Sequence, residues 1–391
     1  MPARFEWRFL TVLCPALLVA CGETVGPMPA EPGEPLPSLG NRETARFLTG
    51  QALFQRQFTP EEGLGPTFND DSCLSCHDLP ESGGAGFEHV PMATRWIEEE
   101  ERCDLLEDEG GPLVRSRTTP LLANALDDQA MERRGFPPSA TQRAQMTGPA
   151  LFGLGLVDAI PDTNILRHAD NGGRPARTPE GELGRFGRMA EHASLLDFVA
   201  AALIQEMGIT TPFHPEELNV DGEPLPPGVD PASNPELGRE EVEVLTDYVR
   251  FLAPPERDMP DDPAELAQVR QGEEVFEEIG CAGCHVPEMS TGPSEVPALD
   301  ERPVPLYSDL LLHDLGPEME GVCGTDASPT EWRTAILMGL RFRMGLMNDD
   351  RAQSLERAIE LHGGDAEPMR DAYEALPPDE RQSLLRFLET L

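Results

Sequence analysis

Two five-residue segments, Cys73-Leu74-Ser75-Cys76-His77 and Cys281-Ala282-Gly283-Cys284-His285, constrain this chain more than any other feature. Both read C-x-x-C-H. Thiols three positions apart can reach the two vinyl groups of one haem, and the histidine that follows swings beneath the iron as its proximal ligand. The chain has eight cysteines and eight histidines, and at that frequency chance supplies one such motif in about three of a thousand sequences of this length. Two are far rarer, so the sequence predicts two covalent c-type haems, one on Cys73 and Cys76 with His77 and one on Cys281 and Cys284 with His285. A zinc site needs no histidine fixed after its second cysteine, and a thioredoxin-type pair needs a βαβ context that neither segment has.

The first residues agree with haem attachment outside a bacterial cytoplasm. Arg4 and Arg8 precede an apolar run from Phe9 to Leu18, which at ten residues crosses only about half of a bilayer and reads as a cleaved export signal. Leu18-Val19-Ala20-Cys21 resembles the lipobox of bacterial lipoproteins, so residues 1–21 are expected to be a signal peptide ending at Cys21, the site of lipidation; the alternative is a plain signal peptide. Residues 22–45 carry Pro27, Pro29, Pro32, Pro35 and Pro37 among Gly and Glu, a composition expected of a semi-rigid tether. Together these predict a protein held by lipid on the periplasmic side of the cell envelope, or at the cell surface.

With a formal charge of −41 and no lysine, the chain repels polyphosphate, which excludes nucleic acid as a partner and favours a basic redox protein such as a cytochrome c. Cys103 and Cys323 remain after the haem and lipid cysteines are assigned. In an oxidising compartment they form either a disulfide or two buried thiols.

The haem motifs sit in a repeated context. Gly50-Gln51-Ala52-Leu53-Phe54 precedes the first and Gly272-Glu273-Glu274-Val275-Phe276 the second, both G-x-x-[LV]-F. Amphipathic segments near Leu245–Leu252 and Ser383–Leu388 close each half, and Pro254-Pro255 ends the first. The expected fold is mainly α: two cytochrome c-like haem domains with long loops, residues 46–258 and 259–391, the first enlarged by an insertion between its haem motif and its final helix.

Further segments make the chain resemble a known family. They are Phe68-Asn69-Asp70-Asp71-Ser72, Leu151 to Pro161 (LFGLGLVDAIP), Gly184-Arg185-Phe186-Gly187, Glu206-Met207-Gly208-Ile209-Thr210, Tyr307 to Gly316 (YSDLLLHDLG) and Glu331-Trp332-Arg333-Thr334. In order and spacing they resemble the bacterial dihaem cytochrome c peroxidases, and within them the dihaem oxidoreductases often labelled thiol oxidoreductases. The resemblance implies an N-terminal haem with an open distal position, where peroxide or another small substrate reacts, and a C-terminal haem that relays electrons to it. It implies an acid/base at Glu206, where the peroxidases carry the glutamate of an E-M-G segment. It also implies a sixth ligand for the second iron at His362, which follows the L-x-x-A-[IV] helix Leu355 to Ile359, or at His313. Calcium between the domains is typical of the peroxidases, but no EF-hand-like loop names its ligands.

Three departures weigh against efficient peroxide turnover while leaving haem binding and electron transfer untouched. The family's tryptophan falls at Arg188, Phe198 stands where a distal glutamine is common, and Asn348-Asp349-Asp350-Arg351 replaces H-D-G-R. The competing readings are a lipid-tethered, non-catalytic dihaem electron carrier and a thiol oxidoreductase; with no further C-x-x-C pair, thiol chemistry would have to occur at iron.

Overall fold

The structure is a computed structural model that describes residues 30–126, 136–217, 224–343, 345–347 and 349–391. The expected signal, Cys21, Met344 and Asn348 lie outside the described residues. Helices α1 (Asn41–Phe54), α2 (Pro120–Ala125), α3 (Leu154–Asp158), α4 (Asp162–Leu166), α5 (Leu195–Met207) and α6 (Arg239–Phe251) precede the expected boundary. After it come α7 (Pro263–Glu278), α8 (Leu355–Glu360), α9 (Glu367–Ala375) and α10 (Pro378–Leu388). No described helix is long and apolar enough to cross a membrane.

One helix crossing occurs twice. Helix α1 packs on α6, and α7 packs on α10. The repeated glycine lies at each crossing: a Cβ on Gly50 would stand 2.2 Å from the backbone oxygen of Val244, and one on Gly272 1.9 Å from that of Ser383. Four residues on, one helical turn away, the repeated phenylalanine meets the aromatic residue of the crossing helix, Phe54 on Tyr248 at 4.9 Å and Phe276 on Phe387 at 5.3 Å. The G-x-x-[LV]-F repeat is therefore a contact rule, glycine for close approach and phenylalanine for filling. Alanine at Gly50 or Gly272 meets backbone rather than a movable side chain, so each variant is expected to lose about 1–3 kcal/mol of stability, read as a lower urea midpoint.

Strands β1 (Thr67–Phe68) and β4 (Arg117–Thr118) pair antiparallel, and between the first motif and α5 the chain also builds an antiparallel sheet from β2 (His89–Ile97), β3 (Arg102–Asp104) and β5 (Gln142–Thr147), in the order β3-β2-β5. Cys103 of β3 is joined to Cys323 by a disulfide across 220 residues, and Thr94 of β2 accepts from the Cys323 amide at 3.0 Å. The largest apolar cluster runs through both halves, from Leu36 and Phe54 to Leu306, Leu310 and Ile336, whereas a smaller one around Val269, Phe276 and Phe387 belongs to the second half alone.

The expected tether needs correcting at its end. Leu36 is only 2% exposed. Its amide donates to the Phe251 carbonyl at 2.7 Å, and the Ala253 amide donates to Glu34 at 3.0 Å. The extended backbone that proline favours lets this stretch pair with the chain after α6 instead of standing in solvent, and α1 already begins at Asn41.

Candidate functional site

Each C-x-x-C-H lies on a short 3-10 turn, Cys73–Ser75 and Cys281–Gly283. All four motif cysteines are free. Burial pushes the Cys73, Cys76 and Cys281 thiols up to about 12, as it does for thiols in apolar surroundings. Among the described residues neither motif's two sulfurs and imidazole converge within one ion's reach. The donor set fits a flat group held at one edge by two thioethers, not a tetrahedral ion.

In the first half, His77 Nδ1 faces the Gly84 carbonyl at 3.1 Å, which fixes the ring and leaves Nε2 available to a ligand. Its environment includes Phe54, ring centroids 6.2 Å apart. Cys73, Cys76 and His77 line a cavity of about 590 Å³. That wall continues along α5, whose start is set by the Ser194 hydroxyl accepting from the Asp197 amide and whose end is set by Gly208 at φ +68°.

Glu206 occupies the last turn of α5 and lines the cavity. Asn69 Nδ2 donates to its carboxylate at 2.9 Å, while Asn69 Oδ1 accepts from the Ser116 amide at 3.0 Å. Burial raises the Glu206 carboxyl above its ordinary value, and the Asn69 bond only partly offsets that. Phe198, on the same helix, packs its ring 6.1 Å from Phe186 and 5.6 Å from His192. His89 lies on β2 with half its side chain exposed and faces Asp350 at 3.4 Å. Met347 packs against an apolar cluster.

The cavity also carries a cationic group. Arg188, Arg333 and Arg343 line it. Arg188 donates to the Thr147 carbonyl, Arg333 Nε to Gly187 O at 2.8 Å, and Arg343 to Ile336 O at 2.8 Å. Burial, with the charge of Arg343, pulls Arg188 and Arg333 down to about 10. Glu191 and Asp350 offset part of the cost of burying guanidiniums that repel one another, and further anions would offset more. A haem bound to Cys73 and Cys76 brings two propionates, so the cavity fits that group by charge as well as by its thiols and imidazole. Arg333 stands in the Glu331-to-Thr334 segment, but nothing in the sequence marks Arg343 as its neighbour.

The second half is arranged differently. His285 Nδ1 faces the Tyr307 carbonyl at 2.9 Å, and His362 Nδ1 faces that of Ala358 at 2.7 Å. The two rings stand with centroids 6.4 Å apart. Imidazoles bound to one metal from opposite sides, each nitrogen about 2 Å from it, have centroids about 6.3 Å apart. Burial first, and then the neighbouring His362, push His285 down to about 4, which keeps its ring neutral as a ligand must be.

His313 has no such freedom. Its Nε2 meets Asp309 at 2.8 Å and its Nδ1 lies 3.7 Å from the Cys284 sulfur. Burial pulls this imidazole down, but Asp309 and Cys284 outweigh it and raise it to about 10, so an ion pair is buried here. Cys284, Asp309 and His313 could hold an ion, but the motif commits that sulfur to haem. Glu217, Asp230 and Glu236 form the only all-carboxylate group of this kind among the described residues, within the first half. It is not the expected inter-domain calcium site.

A family model described as "Di-haem oxidoreductase, putative peroxidase" matches residues 30–105 and 172–391. No curated protein matches the chain. Solved structures resemble it weakly over most of its length. A hydrazine synthase from Kuenenia stuttgartiensis is 14% identical, with 99% of this chain and 100% of that one covered and a TM-score of 0.42. A MauG-like protein associated with microbial copper homeostasis is 13% identical, with 95% of each chain covered and a TM-score of 0.40. The diheme peroxidase BthA of Burkholderia thailandensis E264 is 15% identical, with 93% and 94% covered and a TM-score of 0.41. Likenesses of this size do not fix a shared fold.

Proposed function

The chain belongs to the di-haem oxidoreductase family, and on that premise we propose an exported enzyme that reduces peroxide, or a related small oxidant, at its first haem with electrons relayed through its second. One observation carries the reading, the asymmetry of the two sites. His285 faces a second imidazole at 6.4 Å, whereas the ring beside His77 is that of Phe54, and the cavity that would house the first haem carries the buried carboxyl group of Glu206. One closed and one open iron is the division a two-site peroxidase needs.

When bound, the haems supply iron that exchanges single electrons and, at the open position, holds the small substrate. The protein does the rest. His77 and His285 would ligate through Nε2 while their Nδ1 hydrogens stay on the Gly84 and Tyr307 carbonyls, which fixes ring orientation and basicity. His362 would hold the second iron together with His285, while His313 keeps its Nε2 on the buried Asp309 carboxylate. Glu206 takes a proton from one peroxide oxygen and returns it to the leaving one, and the Asn69 amide holds it in place.

Arg188, Arg333 and Arg343 would hold the propionates of the first haem. Replacing Arg333 with glutamine removes a cation beside that haem and is expected to lower its reduction potential in spectroelectrochemistry; an unchanged potential would sink this assignment. The acidic surface suits a basic cytochrome as donor, weakened by salt. Lipid at Cys21 would keep the enzyme at the envelope, where such donors circulate.

The deciding experiment is electron paramagnetic resonance of the half-reduced protein. A high-spin signal from one haem that disappears on adding peroxide is the expected result. Two low-spin signals indifferent to peroxide would leave a dihaem electron carrier instead.

A further inference from the structure

Glu206 works on the reacting oxygens, but its contacts do not explain how protons reach the cavity. Reduction of one peroxide consumes two protons and two electrons: the O–O bond breaks, new O–H bonds form, and two waters leave. The electrons come from a reduced redox protein through the second haem; the protons must come from solvent. The Glu206 carboxylate bonds to the amide Nδ2 of Asn69, and an amide has no proton to give up near neutral pH.

About 13 Å away along α5, nine residues at 1.5 Å each, the cavity wall carries a different set of groups. His192, Asp197 and His214 all line it. His192 is pinned through its backbone to Phe186, and its Nδ1 stands 2.7 Å from Asp197 Oδ2. Asp197 keeps 52% of its side chain in solvent, and the His192 bond holds it below its ordinary value, so it stays a carboxylate. His214 is fixed by a turn in which its amide donates to Thr211 Oγ1 at 3.2 Å. Its Nε2 is buried with no hydrogen-bond partner among the described residues. An unpaired buried ring nitrogen on a cavity wall is costly unless something in the cavity meets it.

We infer that His192, oriented by Asp197, and His214 form a proton-delivery group at the solvent-linked end of the first haem cavity. This inference rests on the open first site proposed above. Asp197 holds the Nδ1 hydrogen of His192 and leaves Nε2 to exchange protons, while His214 offers its unpartnered nitrogen to water or substrate inside. Burial lowers His214 from its ordinary value, the nearby Asp197 opposes that and His192 adds to it. The ring is therefore mainly neutral near neutrality and passes a proton on by taking one up transiently.

Cyanide is the probe, because it arrives as HCN, binds ferric iron as the anion and must leave a proton behind. Its association rate with the half-reduced protein is measured against pH, in water and in D2O, for the wild type, His192→Gln, His214→Gln and Asp197→Asn. Covalent haem content and circular dichroism report that each variant is folded. The histidine variants are expected to bind at least about tenfold more slowly, to lose the histidine limb of the pH profile, and to recover with added imidazole; Asp197→Asn shifts the limb. Wild-type rates and profiles in both histidine variants, with cyanide still bound, would overturn the proton-delivery group alone. No cyanide complex even in the wild type would remove the open iron, and this inference with it.

Discussion

Replacing His362 with alanine converts the second haem from low-spin to high-spin, raises its reduction potential, and lets free imidazole restore the original spectrum. The expectation follows from one distance. The His285 and His362 rings stand 6.4 Å apart, close to the roughly 6.3 Å that two nitrogens about 2 Å from one metal impose. Each ring is held from behind by a backbone carbonyl, those of Tyr307 and Ala358, so neither needs to turn to reach the iron. Removing one imidazole leaves an unsaturated iron and takes away a donor that favours the ferric state. The parallel His313→Ala variant should keep the low-spin spectrum, because His313 spends its nitrogens on Asp309 and the Cys284 sulfur. A low-spin second haem in His362→Ala would refute the ligand assignment.

Glu206→Gln is expected to slow peroxide turnover by about 10²–10⁴-fold while both haems remain attached and the second keeps its spectrum. In the wild type the carboxylate form takes the first proton, and burial has raised the Glu206 pKa. Turnover should therefore fall as pH drops through a limb above the ordinary glutamate value, and glutamine should abolish that limb. Stability carries the opposite sign. A carboxyl raised on folding contributes stability below its unfolded value and loses it as pH rises through the folded one. Near pH 7 the neutral amide, which keeps the Asn69 contact within reach, should melt at or above the wild type. Slower turnover with unchanged or higher stability separates a catalytic role from a structural one; equal turnover would remove Glu206 from the chemistry.

The legible parts of this protein were those whose physics is local. C-x-x-C-H states its chemistry within five residues. The G-x-x-[LV]-F repeat names, four residues apart, the glycine that lets two helices touch and the phenylalanine beside each proximal histidine. Resemblance extended that reading to Glu206 and to a choice between His362 and His313. Composition misjudged the residues before α1, because five prolines describe a stiff chain without saying whether Leu36 has a groove to enter.

Sequence by itself named two C-x-x-C-H segments, a repeated glycine and phenylalanine that mark two helix crossings, and a cysteine pair left over in Cys103 and Cys323. Tertiary structure alone decided which imidazole faces His285, that Arg188, Arg333 and Arg343 share one cavity, and that His192, Asp197 and His214 meet on its wall. The physical reason is range. Covalent attachment and the contact face of a helix are each written within a turn or two of chain, while a ligand pair such as His285 and His362 or a charge cluster such as Arg188, Arg333 and Arg343 depends on where folding places separate segments, which no short spacing encodes.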